Sequence, residues 1–249
     1  GTVVTVYKHG NDPTQSLYAA VRNPETREWS TREISDGPYV NEVRIVQSTD
    51  GGATVVWNNR DGSSFIKART YINGHWGDLQ TLDTNVAGLA IAARKDGSVL
   101  VATGAFDGSD AVTRIFTRRK DAELFDEQPL DLDPVNGHYQ WASSITFNSN
   151  GDGVVLSNRD VGGGSTELRS VRYDEASHSW DPPQSVVTEA TSIGGSCLAM
   201  DNNGRAAALY GRGQVDGGGA ASGSFATMAV NGTWTATHEA ITAGHTGTL

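Results

Sequence analysis

Short apolar runs, bounded by turns of Asp, Asn and Gly, recur along the whole chain. The second unit shows the pattern most fully: Glu42 to Ser48, a turn at Asp50-Gly51, Ala53 to Asn58, a loop around Asp61-Gly62, Ser64 to Tyr71, a turn at Asn73-Gly74, and His75 to Leu82. Runs of this length between such turns read as strands, here termed a, b, c and d. The first turn returns as Asp96-Gly97, Asn150-Gly151 and Asn203-Gly204. Such a pair predicts a two-residue type I′ hairpin, which needs positive φ at both positions. Each unit ends in an aromatic within a short polar stretch: Trp29, Trp76, Phe125, Trp180 and Trp234, spaced 47, 49, 55 and 54 residues apart by subtraction of their numbers.

A period near fifty residues with four strands per unit predicts an all-β, five-bladed β-propeller of four-stranded antiparallel blades. Val3 to Tyr7 aligns with strand b of the other units, so the first unit lacks strand a. Beyond Thr242 only Ala243 to Leu249 remain, enough for one strand, and this tail is expected to supply the missing strand and close the ring. The expected organisation is a single domain over 1–249, with blades at about 2–36 plus 243–249, 37–84, 85–133, 134–189 and 190–242. The five recurrent aromatics are expected to fill the wedges between blades.

Composition narrows the classes. Gly is abundant, 30 of 249 residues, and the prolines fall at inferred turns or strand boundaries, as a fold of many short strands requires. No apolar run is long enough for a membrane-spanning helix, and the first residues do not read as a signal peptide. A formal net charge of -10, with Arg118-Arg119-Lys120 as the one short basic run, argues against nucleic acid. The single cysteine, Cys197, has no internal disulfide partner and reads as a buried small hydrophobe in strand a of the fifth unit. Few cysteines and lysines with plentiful Asn, Gly, Thr and Asp suggest a bacterial secreted or envelope protein.

Propeller polarity places the b-to-c and d-to-a connections on one face, where chemistry is expected on the longer loops. The b-to-c loops are expected near 8–16, 58–63, 104–110, 158–165 and 211–223, and each contains an aspartate: Asp12, Asp61, Asp107, Asp160 and Asp216. Two sit in the same tripeptide, Asn59-Arg60-Asp61 and Asn158-Arg159-Asp160. Such aspartates commonly cap their own turns. The functional alternative is a ring of carboxylates with Arg60 and Arg159 hydrogen-bonding a polar ligand such as a sugar. The stretch Asp131 to Trp141 reads as the longest d-to-a connection, and it brings His138, Tyr139 and Trp141 to the same face. Trp141 either stacks on a sugar there or fills a gap between blades. Tyr39, Glu42 and His245 are expected at the same rim. No cofactor is expected, although loop aspartates could hold calcium.

Ser48-Thr49-Asp50-Gly51-Gly52-Ala53-Thr54 resembles the Asp-box of sialidase-type propellers, in one unit only. That resemblance would imply three arginines on a substrate carboxylate, for which Arg60, Arg159 and Arg212 are the candidates. The repeat is also similar in period and order to five-bladed lectin propellers of the tachylectin type, which implies loop-built sugar sites. Five-bladed propellers include arabinan- and fructan-cleaving enzymes, whose resemblance implies a carboxylate pair at a central pocket; Glu42, Asp61 and Asp107 would be the acids here. The reading placed first is a non-catalytic, lectin-like carbohydrate-binding module, with a glycan or other small polar ligand. The alternatives are a glycoside hydrolase or lyase, and a scaffold or sensor for a protein partner.

Overall fold

The structure, a computed structural model, describes residues 2–11, 14–37, 39–49, 51–61, 63–107, 110–126, 129–136, 140–213 and 222–241. It is all-β, with five antiparallel sheets that form five propeller blades in chain order.

Blade one holds β1 (Val3–His9), β2 (Ser16–Arg22) and β3 (Trp29–Glu33). Blade two holds β4 (Val40–Gln47), β5 (Ala53–Asp61), β6 (Ser63–Ile72), and an outer strand in two pieces, β7 (His75–Trp76) and β8 (Gln80–Thr84). Blade three holds β9 (Val86–Ala93), β10 (Val99–Asp107), β11 (Asp110–Arg118) and β12 (Leu130–Asn136). Blade four holds β13 (Gln140–Phe147), β14 (Gly153–Gly162), β15 (Ser165–Asp174), β16 (Ser179–Trp180) and β17 (Gln184–Glu189). Pro182-Pro183 divides the last two, as expected of residues without an N–H to donate. Blade five holds β18 (Ile193–Met200), β19 (Ala206–Arg212), β20 (Ser222–Met228) and β21 (Trp234–Ile241). The three strands of blade one correspond to b, c and d, as the alignment of Val3 to Tyr7 requires. The tail expected to complete this blade lies outside the described residues, as do Asp12, His138, Tyr139, Asp216 and His245.

The a-to-b turns differ from expectation. Ser48, Arg94, Asn148 and Asp201 each donate N–H to the carbonyl four residues on, and Gly51, Gly97, Gly151 and Gly204 each donate back to the carbonyl three residues earlier. The glycines carry the positive φ, at 82°, 92°, 103° and 82°, whereas Asn150 and Asn203 do not. These are three-residue loops with one left-handed residue at their end, not two-residue I′ turns. The I′ signature appears elsewhere, at Asn73-Gly74 (φ 52° and 84°) and at Gly163-Gly164 (65° and 80°).

Four apolar clusters bind the blades in sequence. Leu17, Ala19, Val55 and Trp57 join blades one and two, and Val56, Ile66, Val101 and Phe116 join two and three. Leu100, Ala102, Ile145 and Val155 join three and four, and Leu156, Leu168, Ala208 and Met228 join four and five. The expected wedge aromatics serve these interfaces on four occasions. Phe125 is buried, and Trp76, Trp180 and Trp234 pack partly buried against the preceding blade. Trp29 is the exception, 53% exposed, because no described residue of blade five packs on it. Cys197 is likewise exposed rather than buried.

Candidate functional site

The first strands β4, β9, β13 and β18 neighbour one another in series across blades and so form the inner wall of the blade array. Backbones approach closely there. A Cβ on Gly88 would lie 2.2 Å from the Ala142 carbonyl oxygen, and one on Gly104 would lie 2.2 Å from the Gln140 carbonyl oxygen.

Near the end where these strands begin, each a-to-b pairing slips. The register shifts between Val40 and Val43, between Ala142 and Ser144, and between Ile193 and Ser196; in blade three Leu89 pairs with Thr103 but Ala87 with Gly104, leaving Gly88 extra. A bulge re-aims the extra residue's side chain and is common beside active sites. The extra residues are Asn41-Glu42, Gly88, Ser143 and Gly194-Gly195, so Glu42 alone among them carries an ionisable group. Its side chain is 31% exposed and pairs with Arg44 at 2.5 Å. Just before it, Tyr39 holds φ 74°, a rare conformation for a bulky residue, and its carbonyl accepts the Arg60 N–H at 3.0 Å.

A layer of buried polar side chains lies at this same end. Asp83 accepts hydrogen bonds from Thr103 Oγ1 (2.7 Å) and Arg114 Nη1 (3.1 Å), and Arg114 Nε also donates to Asp131 (3.2 Å). Burial works against the Arg114 charge, but the two carboxylates outweigh it and hold its pKa up. Gln140, fully buried, donates to Thr113 Oγ1 at 2.7 Å and Ser157 Oγ at 3.2 Å. Glu167 accepts from Arg159 and from Arg169. Burial pushes its pKa up, yet the Ser185 hydroxyl and the two guanidiniums prevail and keep it below the ordinary glutamate value. Arg212 Nη2 reaches Glu189 Oε2 at 2.8 Å, joining blades five and four. Burial, followed by the Glu189 charge, pushes the Tyr210 hydroxyl pKa up, so it stays protonated at neutral pH.

This network reassigns several sequence candidates. Arg159 and Arg212 are neutralised by Glu167 and Glu189, so they do not form a free arginine triad with Arg60. Arg60 is exposed and has no carboxylate partner among the described residues. Asp160 accepts the Gly162 N–H at 2.8 Å, which is the capping role. Asp61 and Asp107 sit on strand ends rather than in loops, because β5 and β10 run through them. Most of the supposed long connection before Trp141 is strand β12. In blades two, three and four, strands b and c pair almost to their ends, at Asp61–Ser63, Asp107–Asp110 and Gly162–Ser165, so among the described residues of these blades the polar layer marks the face. Trp141 lies half-buried on β13, its Cβ close against Gly88. Glu167 and Glu189 were not singled out from sequence, since their importance arises from arginines on other strands. Among the described residues no group of three or more His, Cys, Asp or Glu is placed to hold a metal, and no helix is long and apolar enough to cross a membrane.

No protein-family model matches the chain, and no curated protein sequence matches it significantly. Solved structures share its fold. The polysaccharide lyase Uly1 superposes with TM-score 0.66 at 9% identity, over 96% of this chain and 70% of that one. A Hadza microbial sialidase gives 0.57 at 9% identity over 93% and 56%. The α-L-arabinanase of Penicillium chrysogenum gives 0.53 at 11% identity over 79% and 66%. This chain thus spans about two thirds of the arabinanase and little over half of the sialidase. All three likenesses are to enzymes that act on carbohydrate and none is to a lectin, which overturns the lectin-like reading placed first on the sequence. The Asp-box resemblance gains no sequence support.

Proposed function

We propose that the protein is a carbohydrate-active enzyme of the glycoside hydrolase or lyase kind, with a glycan laid across the rim where β4, β9 and β13 begin. Glu42 carries this reading: among the described residues it is the one bulged residue at the inner wall able to transfer a proton or attack a carbon. Its exposure leaves it reachable by substrate, unlike Asp83, Glu167 and Glu189, which are buried and bound to arginines.

Hydrolysis would need a second carboxyl group, about 5–5.5 Å away for retention or 6.5–9.5 Å for inversion. Asp61 and Asp107, on the neighbouring strand ends, are the candidates. A lyase would need a base beside a carbon acidified by a substrate carboxylate, with a cation to neutralise that carboxylate. Arg60, exposed and without a carboxylate partner among the described residues, fits the second role, and Trp141 and Tyr39 offer aromatic surface for a sugar ring. A secreted or envelope location belongs to the same proposal, since polymeric glycans of this kind lie outside the cell.

Incubation with neutral and uronate-containing polysaccharides tests the reading, following new reducing ends together with the ultraviolet absorbance of an unsaturated product. Reducing ends without absorbance indicate a hydrolase, and both together a lyase. No product from any glycan would refute the proposal.

A further inference from the structure

Asn-Gly is the dipeptide in which the backbone most readily attacks its own side chain, because glycine puts no Cβ beside the attacking nitrogen. The chain holds five such pairs, beginning at Asn73, Asn136, Asn150, Asn203 and Asn231. Gly137, of the second pair, lies outside the described residues. Three of the other four pairs are tied down. Gly151, Gly204 and Gly232 are buried, and their N–H groups donate to the carbonyls of Asn148 (3.1 Å), Asp201 (3.1 Å) and Ala229 (2.9 Å). The Gly151 N–H also donates to Asn148 Oδ1 at 3.0 Å, and Asn150 Nδ2 donates to the Asn202 carbonyl at 2.7 Å. Asn231 Oδ1 accepts the Thr233 N–H at 3.1 Å. Asn73-Gly74 is built differently. It is the two-residue turn between β6 and β7, and the ladder ends at the Ile72–His75 pair that closes it. Both turn residues are exposed, and among the described residues the Gly74 N–H donates no hydrogen bond. A Cβ added to Gly74 would meet nothing within 4 Å.

We propose that Asn73 is a site of spontaneous covalent modification, converting in water to aspartate and isoaspartate while the other three described pairs stay intact. The Gly74 nitrogen attacks Asn73 Cγ and forms a new C–N bond. The Cγ–Nδ2 bond breaks, and ammonia leaves after taking up the Gly74 proton through solvent. Water then opens the cyclic imide. Cleavage between Cγ and the Gly74 nitrogen restores the backbone and leaves aspartate, whereas cleavage of the original peptide bond leaves the chain running through the side chain as isoaspartate. No oxidant or enzyme is required. The two products differ in consequence. Asp-Gly also suits a type I′ turn, so the aspartyl form keeps the hairpin. The isoaspartyl form adds an atom to the main chain of a two-residue turn, and the Ile72–His75 pair no longer closes in register. His75 begins β7, and its contact with Glu123 at 2.7 Å ties blade two to blade three, so that tie loosens with the turn.

The test incubates the folded protein in mildly alkaline buffer at physiological temperature, beside a sample held unfolded in urea. Peptide mapping by mass spectrometry follows amide loss at each pair, and an isoaspartyl methyltransferase labels the rearranged product. In the folded protein Asn73 is expected to convert roughly tenfold or more faster than Asn150, Asn203 or Asn231, each of which must first break a hydrogen bond and expose its glycine. In urea the four rates should come together. An Asn73 that survives in the folded protein while it converts in urea would overturn the proposal, as would equal conversion of all four pairs in the folded protein. Hydrogen exchange on the separated isoaspartyl form and on Asn73→Asp tests the consequence. Faster exchange at Ile72 and His75 is expected in the isoaspartyl form alone. Exchange as slow as wild type in that form would refute the loosened tie between blades.

Discussion

Replacing Gly104 by Ala tests the close approach between blades three and four that positions Gln140 and Trp141. The added Cβ would lie 2.2 Å from the Gln140 carbonyl oxygen, 2.4 Å from Trp141 Cα and 2.7 Å from the Ala87 carbonyl oxygen. All three are backbone atoms, so no side-chain rotation relieves the clash. Gly104 does not hold a positive φ, so the test isolates sterics from backbone strain. Overpacking typically costs about 1–3 kcal/mol, and a clash with backbone alone belongs at the upper end. For a domain of this size about 3 kcal/mol lowers Tm by roughly 6–12 °C. Gly211→Ala on blade five is the control, since its Cβ would meet nothing within 4 Å. Thermal melts by circular dichroism should show the Gly104 variant destabilised and the Gly211 variant unchanged or slightly raised. Equal melting of the two variants would refute the close-approach account.

Phe125→Ala should destabilise by about 3–5 kcal/mol in urea titration, as expected for a buried aromatic, whereas Trp29→Ala in dilute solution should change stability little. The His75–Glu123 pair, at 2.7 Å, links blades two and three; the hydrogen bond to Glu123, then that to the Asn73 backbone, raises the His75 pKa. Its stabilisation is present in full below the ordinary histidine value and is lost as pH rises through the raised one, so His75→Gln should flatten the urea midpoint across that window. For Glu167, whose pKa is lowered, the sign reverses: stabilisation holds above the ordinary glutamate value and fades as pH falls through the lowered one. Glu167→Gln should remove that acid-side slope.

The parts of this fold legible in sequence are those fixed by local backbone chemistry. Gly51, Gly97, Gly151 and Gly204 mark turns because a left-handed residue must stand there, and the recurrent aromatic lies in the outer strand of blades one, two, four and five, whereas Phe125 precedes β12. The turn type was misread because the count of loop residues depends on where strand pairing stops, and Asp alone before Gly does not settle it. Trp29 and Cys197 depart from expectation for one reason: each needs neighbours from another blade to be buried, and a local sequence pattern does not report them. The site divides in the same way. Asn158-Arg159-Asp160 was visible as a motif, but Glu167 and Glu189 neutralise Arg159 and Arg212 from other strands. The bulge that sets Glu42 apart is a property of pairing between β4 and β5, and neither strand's residues alone announce it.

The central claim is that Glu42 does chemistry on a glycan at the inner rim. Its most direct test compares wild type and Glu42→Gln on a polysaccharide that wild type cleaves, with melting measured on both. Glu42 pairs with Arg44 at a half-exposed site, where such a bridge contributes about 0–1 kcal/mol, so stability should hardly change. Loss of proton transfer should lower kcat by roughly 10²–10⁴-fold with KM little altered. Full turnover by a folded Glu42→Gln protein would contradict the account.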